Sequence, residues 1–162
     1  MRSDRPATLA ALLRDRMQQT PGDPASRSAA ARKVLAQAQA FHRAADGNIA
    51  EGLILPAVSA LHEAARLAVT AVAALNGYRF SNVAAHHEAV IDYALAIELV
   101  DRARHAQLDQ LRELRHQVNY PEDLIVPSER EIGQYRALVD TVVALATNKL
   151  PAERIPPPPR PR

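Results

Sequence analysis

The residues best suited to chemistry lie in the segment LRELRHQVNYPED, which spans positions 111 to 123. Guanidinium groups form paired hydrogen bonds to phosphate, an imidazole exchanges protons near neutral pH, and a carboxamide is a neutral hydrogen-bonding group. The segment combines these side chains within nine positions and therefore indicates a site for a phosphate group. Its members are Arg112, Arg115, His116, Asn119 and Tyr120.

A helix predicted from about Asp101 to Asn119 would position these side chains. At about 100° per residue, the apolar residues at 111, 114 and 118 face the core, and the polar side chains share the adjacent arc. The arc lies near the helix C-terminus, where the helix dipole favours cations. Two interpretations stay open: the arc binds a phosphate, or its arginines pair with Asp109, Glu113 or carboxylates of a neighbouring helix. In angular order, the arc holds Arg115, Asn119, Arg112, His105 and His116.

The central helix of the bundle is predicted between residues 53–56 and the Asn76–Gly77 pair. Its apolar residues repeat at spacings of three and four, and alanines make its other faces small, so it should be the most buried helix. Pro56 fits its first turn, and Asn-Gly is a common helix end. Farther along the chain, Ser128 opens a capping box with Glu131 and predicts the start of the last helix.

The remaining segments are also predicted to be helical. We predict a short helix over 6–18, a second from Ser26 or Ser28 to about Ala45 that ends at DGN (46–48), and a fourth from near Ser81 or Asn82. No segment indicates a strand. The expected fold is an antiparallel up-and-down bundle of four to five principal helices plus a short N-terminal helix. The expected divisions are an N-terminal helix and linker (1–24), the bundle (25–149) and a disordered Pro/Arg-rich tail (150–162).

Composition and charge exclude several kinds of protein. The chain has 162 residues and no cysteine, which excludes disulfides, thiolate metal sites and cysteine nucleophiles. The net charge is +2, but residues 47–127 hold six arginines against ten carboxylates, so no uniformly basic face is indicated. The apolar runs are short for a membrane span, and no signal-peptide core is evident. We expect a cytoplasmic protein that does not contact membranes.

The other histidines give weaker indications. His86 and His87 begin the fourth helix and could face a cleft, but neither is followed by a ligand at the i+4 spacing of a helical metal site. His62 stands beside Glu63. The sequence contains no nucleophile elbow and no glycine-rich phosphate loop. We therefore expect no metal site and no cofactor.

Three segments together resemble the HEPN (higher eukaryotes and prokaryotes nucleotide-binding) domain family. They are PAVSALHEAARLAVTAVAALNGYRFSN, HHEAVIDYAL and LRELRHQVNYPE, and the resemblance covers roughly residues 27–147. It implies a bundle that commonly homodimerises, as in ribonuclease toxins of toxin–antitoxin and phage-defence systems, often encoded beside a nucleotidyltransferase antitoxin. Other members bind RNA or nucleotides without cleaving them.

In the active members of that family, an arginine and a polar residue are followed by a histidine. The resemblance places the arginine at Arg115 and the polar residue at His116, but Tyr120 stands where the histidine is expected. Tyrosine, with a reference pKa near 10, is a poor general base at neutral pH. His86 or His87 would compensate if the fold brought either one to Arg115.

The sequence thus leaves three hypotheses. The first is a HEPN-fold protein that binds RNA or a nucleotide phosphate without efficient catalysis, through Arg112, Arg115, His116, Asn119, His86 and His87. The second is a metal-independent ribonuclease toxin with a non-standard site in which Arg115, His116 and Tyr120 act. The third is a structural helical partner whose arginines form salt bridges with another chain.

Overall fold

The computed structural model describes residues 6–81, 86–120, 122 and 125–152. Within these ranges the chain forms six helices and one two-stranded sheet, so the predicted all-α bundle is confirmed. The predicted proline-rich tail lies almost wholly outside the described residues. In chain order, the elements are α1 (Leu9–Asp15), β1 (Met17–Gln19), α2 (Pro24–Ala50), α3 (Ile54–Leu75), β2 (Tyr78–Phe80), α4 (His86–Ala96), α5 (Arg102–Asn119) and α6 (Glu129–Lys149).

Helix α3 is the centre of the bundle, as its sequence predicts. It packs most extensively against α2 and also contacts α4, α5 and α6. Alanines that are fully buried occur along both α2 and α3, and their small side chains let the two backbones lie close together. By length and composition alone α3 could cross a membrane, but 67% of its apolar window is buried inside the protein, as in the core helix of a bundle.

Several helix ends follow the capping signals in the sequence. The Ser128 hydroxyl accepts from the Glu131 amide, and the Glu131 carboxylate accepts from the Ser128 amide, which completes the predicted capping box. Asp101 caps α5 by accepting from the amide of Arg104. Both helices thus begin where the sequence predicts.

Several predictions about local structure are wrong. Helix α1 covers only Leu9–Asp15 of the predicted 6–18, and α2 begins at Pro24 with Asp23 as its N-cap rather than at Ser26 or Ser28. Helix α2 does not end at DGN but continues through it to Ala50, because packing along α3 outweighs the weak helix propensity of these three residues. In addition, β1 and β2 form an antiparallel pair in which Met17 lies opposite Phe80. Three-residue strands are too short to show an alternating pattern, so no sequence pattern predicts them.

The N-terminal segment is attached to the bundle. Leu12 and Met17 are buried in the common core, at 1% and 5% exposure. The backbone amide of Ala7 donates to the carboxylate of Asp92 on α4 at 3.0 Å. The β1–β2 pair extends this attachment, and therefore α1 packs as part of the same hydrophobic core.

Gly77, between α3 and β2, occupies a conformation that favours glycine. Its φ is +83°, and an added Cβ would lie 2.7 Å from Cζ of Arg27. We expect Gly77→Ala to lower the free energy of unfolding by about 1–2 kcal/mol, mainly through backbone strain. Gly133→Ala is the matched control, because a Cβ there meets nothing within 4 Å and alanine favours the helix. Urea unfolding of both variants checks this, and equal stability of the two would contradict it.

Candidate functional site

Five polar side chains from three helices meet at one edge of the core. We call this group the histidine–arginine cluster. The imidazole rings of α3 and α4 lie with their centroids 5.0 Å apart, and an arginine of α5 approaches the carboxylate of α3. A pocket lined by both histidines and by apolar residues of α3, α4 and α5 opens beside them. The cluster consists of His62, Glu63 and Arg66 on α3, His87 on α4 and Arg115 on α5.

The carboxylate of Glu63 organises the charges of the cluster. One of its oxygens, Oε2, accepts hydrogen bonds from Nε and Nη2 of Arg66 at 3.0 and 2.8 Å. The other, Oε1, lies 3.8 Å from Nδ1 of His62 and 3.9 Å from Nη2 of Arg115. Both distances exceed those of hydrogen bonds, so Oε1 faces His62 and Arg115 without a short bond to either.

The environment sets the protonation states of the cluster. Burial lowers the pKa of His62, and burial together with the guanidinium charges of Arg115 and Arg66 lowers the pKa of His87 to about 4. Interaction with His62 and hydrogen bonds from Arg66 lower the pKa of Glu63 to about 2. At neutral pH the cluster therefore holds two neutral imidazoles, one carboxylate and two guanidinium groups.

Three buried nitrogen atoms of the cluster have no hydrogen-bond partner among the described residues. They are Nδ1 of His62, Nδ1 of His87 and Nε of Arg115. Leaving a buried polar atom unpaired costs about 1–3 kcal/mol, so native proteins seldom do so without a reason. His62 is also the one buried polar residue in the described core, at 4% exposure. These unpaired atoms make the cluster a candidate functional site.

The structure divides the residues that the sequence singled out. Arg115 and His87 both lie in the cluster, and the charge of Arg115 contributes to the lowered pKa of His87. His86 instead places Nδ1 3.2 Å from the carbonyl oxygen of Ser81 and packs edge-on against Phe80. Of the two adjacent histidines, His87 is thus the one that faces the site.

Arg112 follows the alternative interpretation. Its Nε donates to the Asp109 carboxylate at 2.9 Å, and its Nη2 donates to Glu113. The guanidinium is therefore engaged by carboxylates of its own helix. His105, on the same predicted arc, pairs through Nε2 with Asp92 of α4 at 2.8 Å.

The C-terminal end of α5 lies at the surface. His116 and Asn119 are exposed, and Tyr120 is 66% exposed. The rings of His116 and Tyr120 contact each other with centroids 4.8 Å apart. These three side chains are not part of the cluster: His116 projects about 100° away from Arg115 around the helix, and Asn119 and Tyr120 lie at the exposed end of α5.

His62, Glu63 and Arg66 were not predicted as residues of the site. A signal was present: these are the titratable side chains of the otherwise apolar α3, and they fall within about one helical turn. Titratable residues on the most buried helix of a bundle need a partner or a function. We expected no metal site because neither His86 nor His87 is followed by a ligand at i+4 spacing. The cluster instead combines two neighbouring residues of α3, His62 and Glu63, with His87 of α4.

The fold and the cluster define an all-helical protein with a polar site at the edge of its core. Comparison with protein-family models, with curated proteins and with solved structures finds no match to this chain.

Proposed function

We propose that this protein binds RNA or a nucleotide by enclosing a phosphate group at the histidine–arginine cluster. The observation that carries the proposal is the state of Arg115, whose buried Nε has no hydrogen-bond partner in the described part of the chain and whose contact with Glu63 is long, at 3.9 Å. A phosphate oxygen is a strong acceptor for such a guanidinium.

The charge of the cluster supports an anionic ligand. Two guanidinium groups and one carboxylate leave a net charge of +1 at neutral pH, since both imidazoles are neutral. The side chain of Arg115 is 30% exposed, so an incoming phosphate can reach it without unfolding a helix. A neutral imidazole can also donate one N–H to a phosphate oxygen.

The resemblance to HEPN domains belongs to the same proposal. In this proposal Arg115 corresponds to the family's arginine, and His87, as a member of the same cluster, is the candidate to compensate for the histidine that is missing at Tyr120. Membership of that family, homodimer formation and a role in a bacterial toxin–antitoxin or phage-defence module are proposed on this basis.

Binding without efficient cleavage is favoured over a ribonuclease. Tyr120 and His116 lie at the surface, outside the cluster, and are not placed to exchange protons beside Arg115. The pKa of His87, about 4, makes it a weaker base than one whose pKa lies near the working pH. The third hypothesis, a structural partner whose arginines pair with another chain, has less support, because Arg115 already faces a site within its own chain.

The test is binding of a fluorescently labelled, mixed-sequence single-stranded RNA, measured by anisotropy in EDTA at several salt concentrations. We expect the wild-type affinity to fall with salt, because phosphate binding releases counterions. Arg115→Ala should weaken binding at least about tenfold, as expected for loss of a charge-assisted contact worth about 1.5–3 kcal/mol.

Arg112→Ala is the matched control. It removes the same charge from the same helix, but its guanidinium is engaged by Asp109 and Glu113, so RNA affinity should change less than about twofold. Equal loss in both variants would mean that the protein responds only to net charge. That result, or unchanged binding by Arg115→Ala, would overturn the proposal.

A further inference from the structure

We propose that His62, Glu63 and His87 bind one divalent transition-metal ion, such as Zn²⁺. One nitrogen of each imidazole and one oxygen of the carboxylate lie within 4.8 Å of one another. This inference goes beyond phosphate binding and does not depend on it.

The geometry needs only a small adjustment to form such a site. Zinc binds imidazole nitrogen and carboxylate oxygen at about 2.0–2.2 Å, so ligand atoms around it are about 3–4 Å apart. The three atoms would approach one another by about 1 Å, which side-chain rotation can supply. Two protein nitrogens and one oxygen leave further positions for water or a ligand.

The state of the two imidazoles favours a role as metal ligands. Nδ1 of His62 and Nδ1 of His87 are buried without a hydrogen-bond partner among the described residues, and His62 is 4% exposed. A coordinate bond would satisfy such a nitrogen as fully as a hydrogen bond does.

Arg66 serves as the outer group that orients the carboxylate. Its two hydrogen bonds hold Oε2 of Glu63 and leave Oε1 directed toward His62. Ligating carboxylates are commonly fixed in this way by a second layer of hydrogen bonds. Oε1 of Glu63 also faces Arg115. At 3.9 Å from Nη2 this oxygen accepts no hydrogen bond from the guanidinium, which can therefore move aside.

The neighbouring charges restrict the choice of metal. Two guanidinium groups oppose any cation, so an ion held chiefly by electrostatic attraction to oxygen, such as Mg²⁺ or Ca²⁺, is disfavoured. First-row transition ions gain more from imidazole nitrogen. A phosphate bound at Arg115 would offset part of this repulsion.

The experiment is titration of the tag-free protein with Zn²⁺ by calorimetry and with Co²⁺ by visible absorption, without RNA. We expect one equivalent to bind. His87→Ala should weaken binding at least about tenfold, as should Glu63→Gln, which retains the shape of the side chain. His116→Ala is the control, because it removes an exposed histidine outside the cluster, and its affinity should match the wild type.

Urea unfolding of each variant establishes that loss of metal binding is not loss of the fold. Absence of saturable binding at one equivalent, or wild-type affinity in His87→Ala, would overturn the proposal. Because RNA binding is measured in EDTA and metal binding without RNA, either proposal can fail while the other stands.

Discussion

Leu61→Ala should lower the free energy of unfolding by about 2–5 kcal/mol, the range for large-to-small changes at fully buried sites. Leu61 is 0% exposed and lies on α3, the helix that contacts four other helices. Urea unfolding followed by circular dichroism measures the effect. Since the domain as a whole is expected to be stable by about 5–15 kcal/mol, this single change would remove a large fraction of its stability.

The size of this effect follows from how the core is built. Alanines make up much of the packing between α2 and α3. Fully buried examples are Ala38 and Ala45 on α2 and Ala64 and Ala68 on α3, each at 0% exposure. Alanine has no side-chain rotamers with which to fill a cavity, so relaxation requires backbone movement. The larger apolar side chains therefore carry a large share of the transfer free energy.

Leu9→Ala is the control for this prediction, because Leu9 is 37% exposed at the start of α1. We expect it to change the unfolding free energy by less than about 1 kcal/mol. A loss below about 1 kcal/mol in Leu61→Ala would contradict the prediction and would mean that neighbouring helices close over the missing volume.

The fold was predictable where local signals act directly on the backbone. The Ser128–Glu131 capping box, the Asp101 cap and the Asn76–Gly77 end all lie where the sequence placed them. These signals work through hydrogen bonds or backbone preferences within a few residues. The end of α2 could not be predicted in this way, because its continuation depends on contact with α3.

The site was predictable only in part, because its members are far apart in the sequence. Arg115 and His87 were recognisable by type and by helix position. His116 shares a helix with Arg115. Helical spacing predicts the direction in which its side chain points, but not which parts of the helix surface are covered by neighbouring helices. His62 gave only a weak indication in the sequence, because its partners depend on the packing of α3 against α4 and α5, which no spacing within one helix encodes.

His62 should also show a conflict between stability and binding. In His62→Leu we expect the free energy of unfolding to rise by about 1 kcal/mol, measured without metal in urea. The reason is that leucine is of similar volume and replaces a 4%-exposed imidazole whose Nδ1 is unpartnered within the described structure. Replacing an unsatisfied buried polar group with an apolar one is neutral or stabilising. The same variant should lose the one-equivalent Zn²⁺ binding proposed above.

His105→Leu tests whether this gain is specific to the cluster. Its imidazole is also largely buried, but Nε2 is paired with Asp92 at 2.8 Å, so the substitution leaves a carboxylate without that partner and should destabilise the protein by about 1–2 kcal/mol. Opposite signs in the two variants would show that His62 is retained at a cost to stability, as residues of functional sites often are. A similar loss of stability in both would instead assign His62 a structural role in the core.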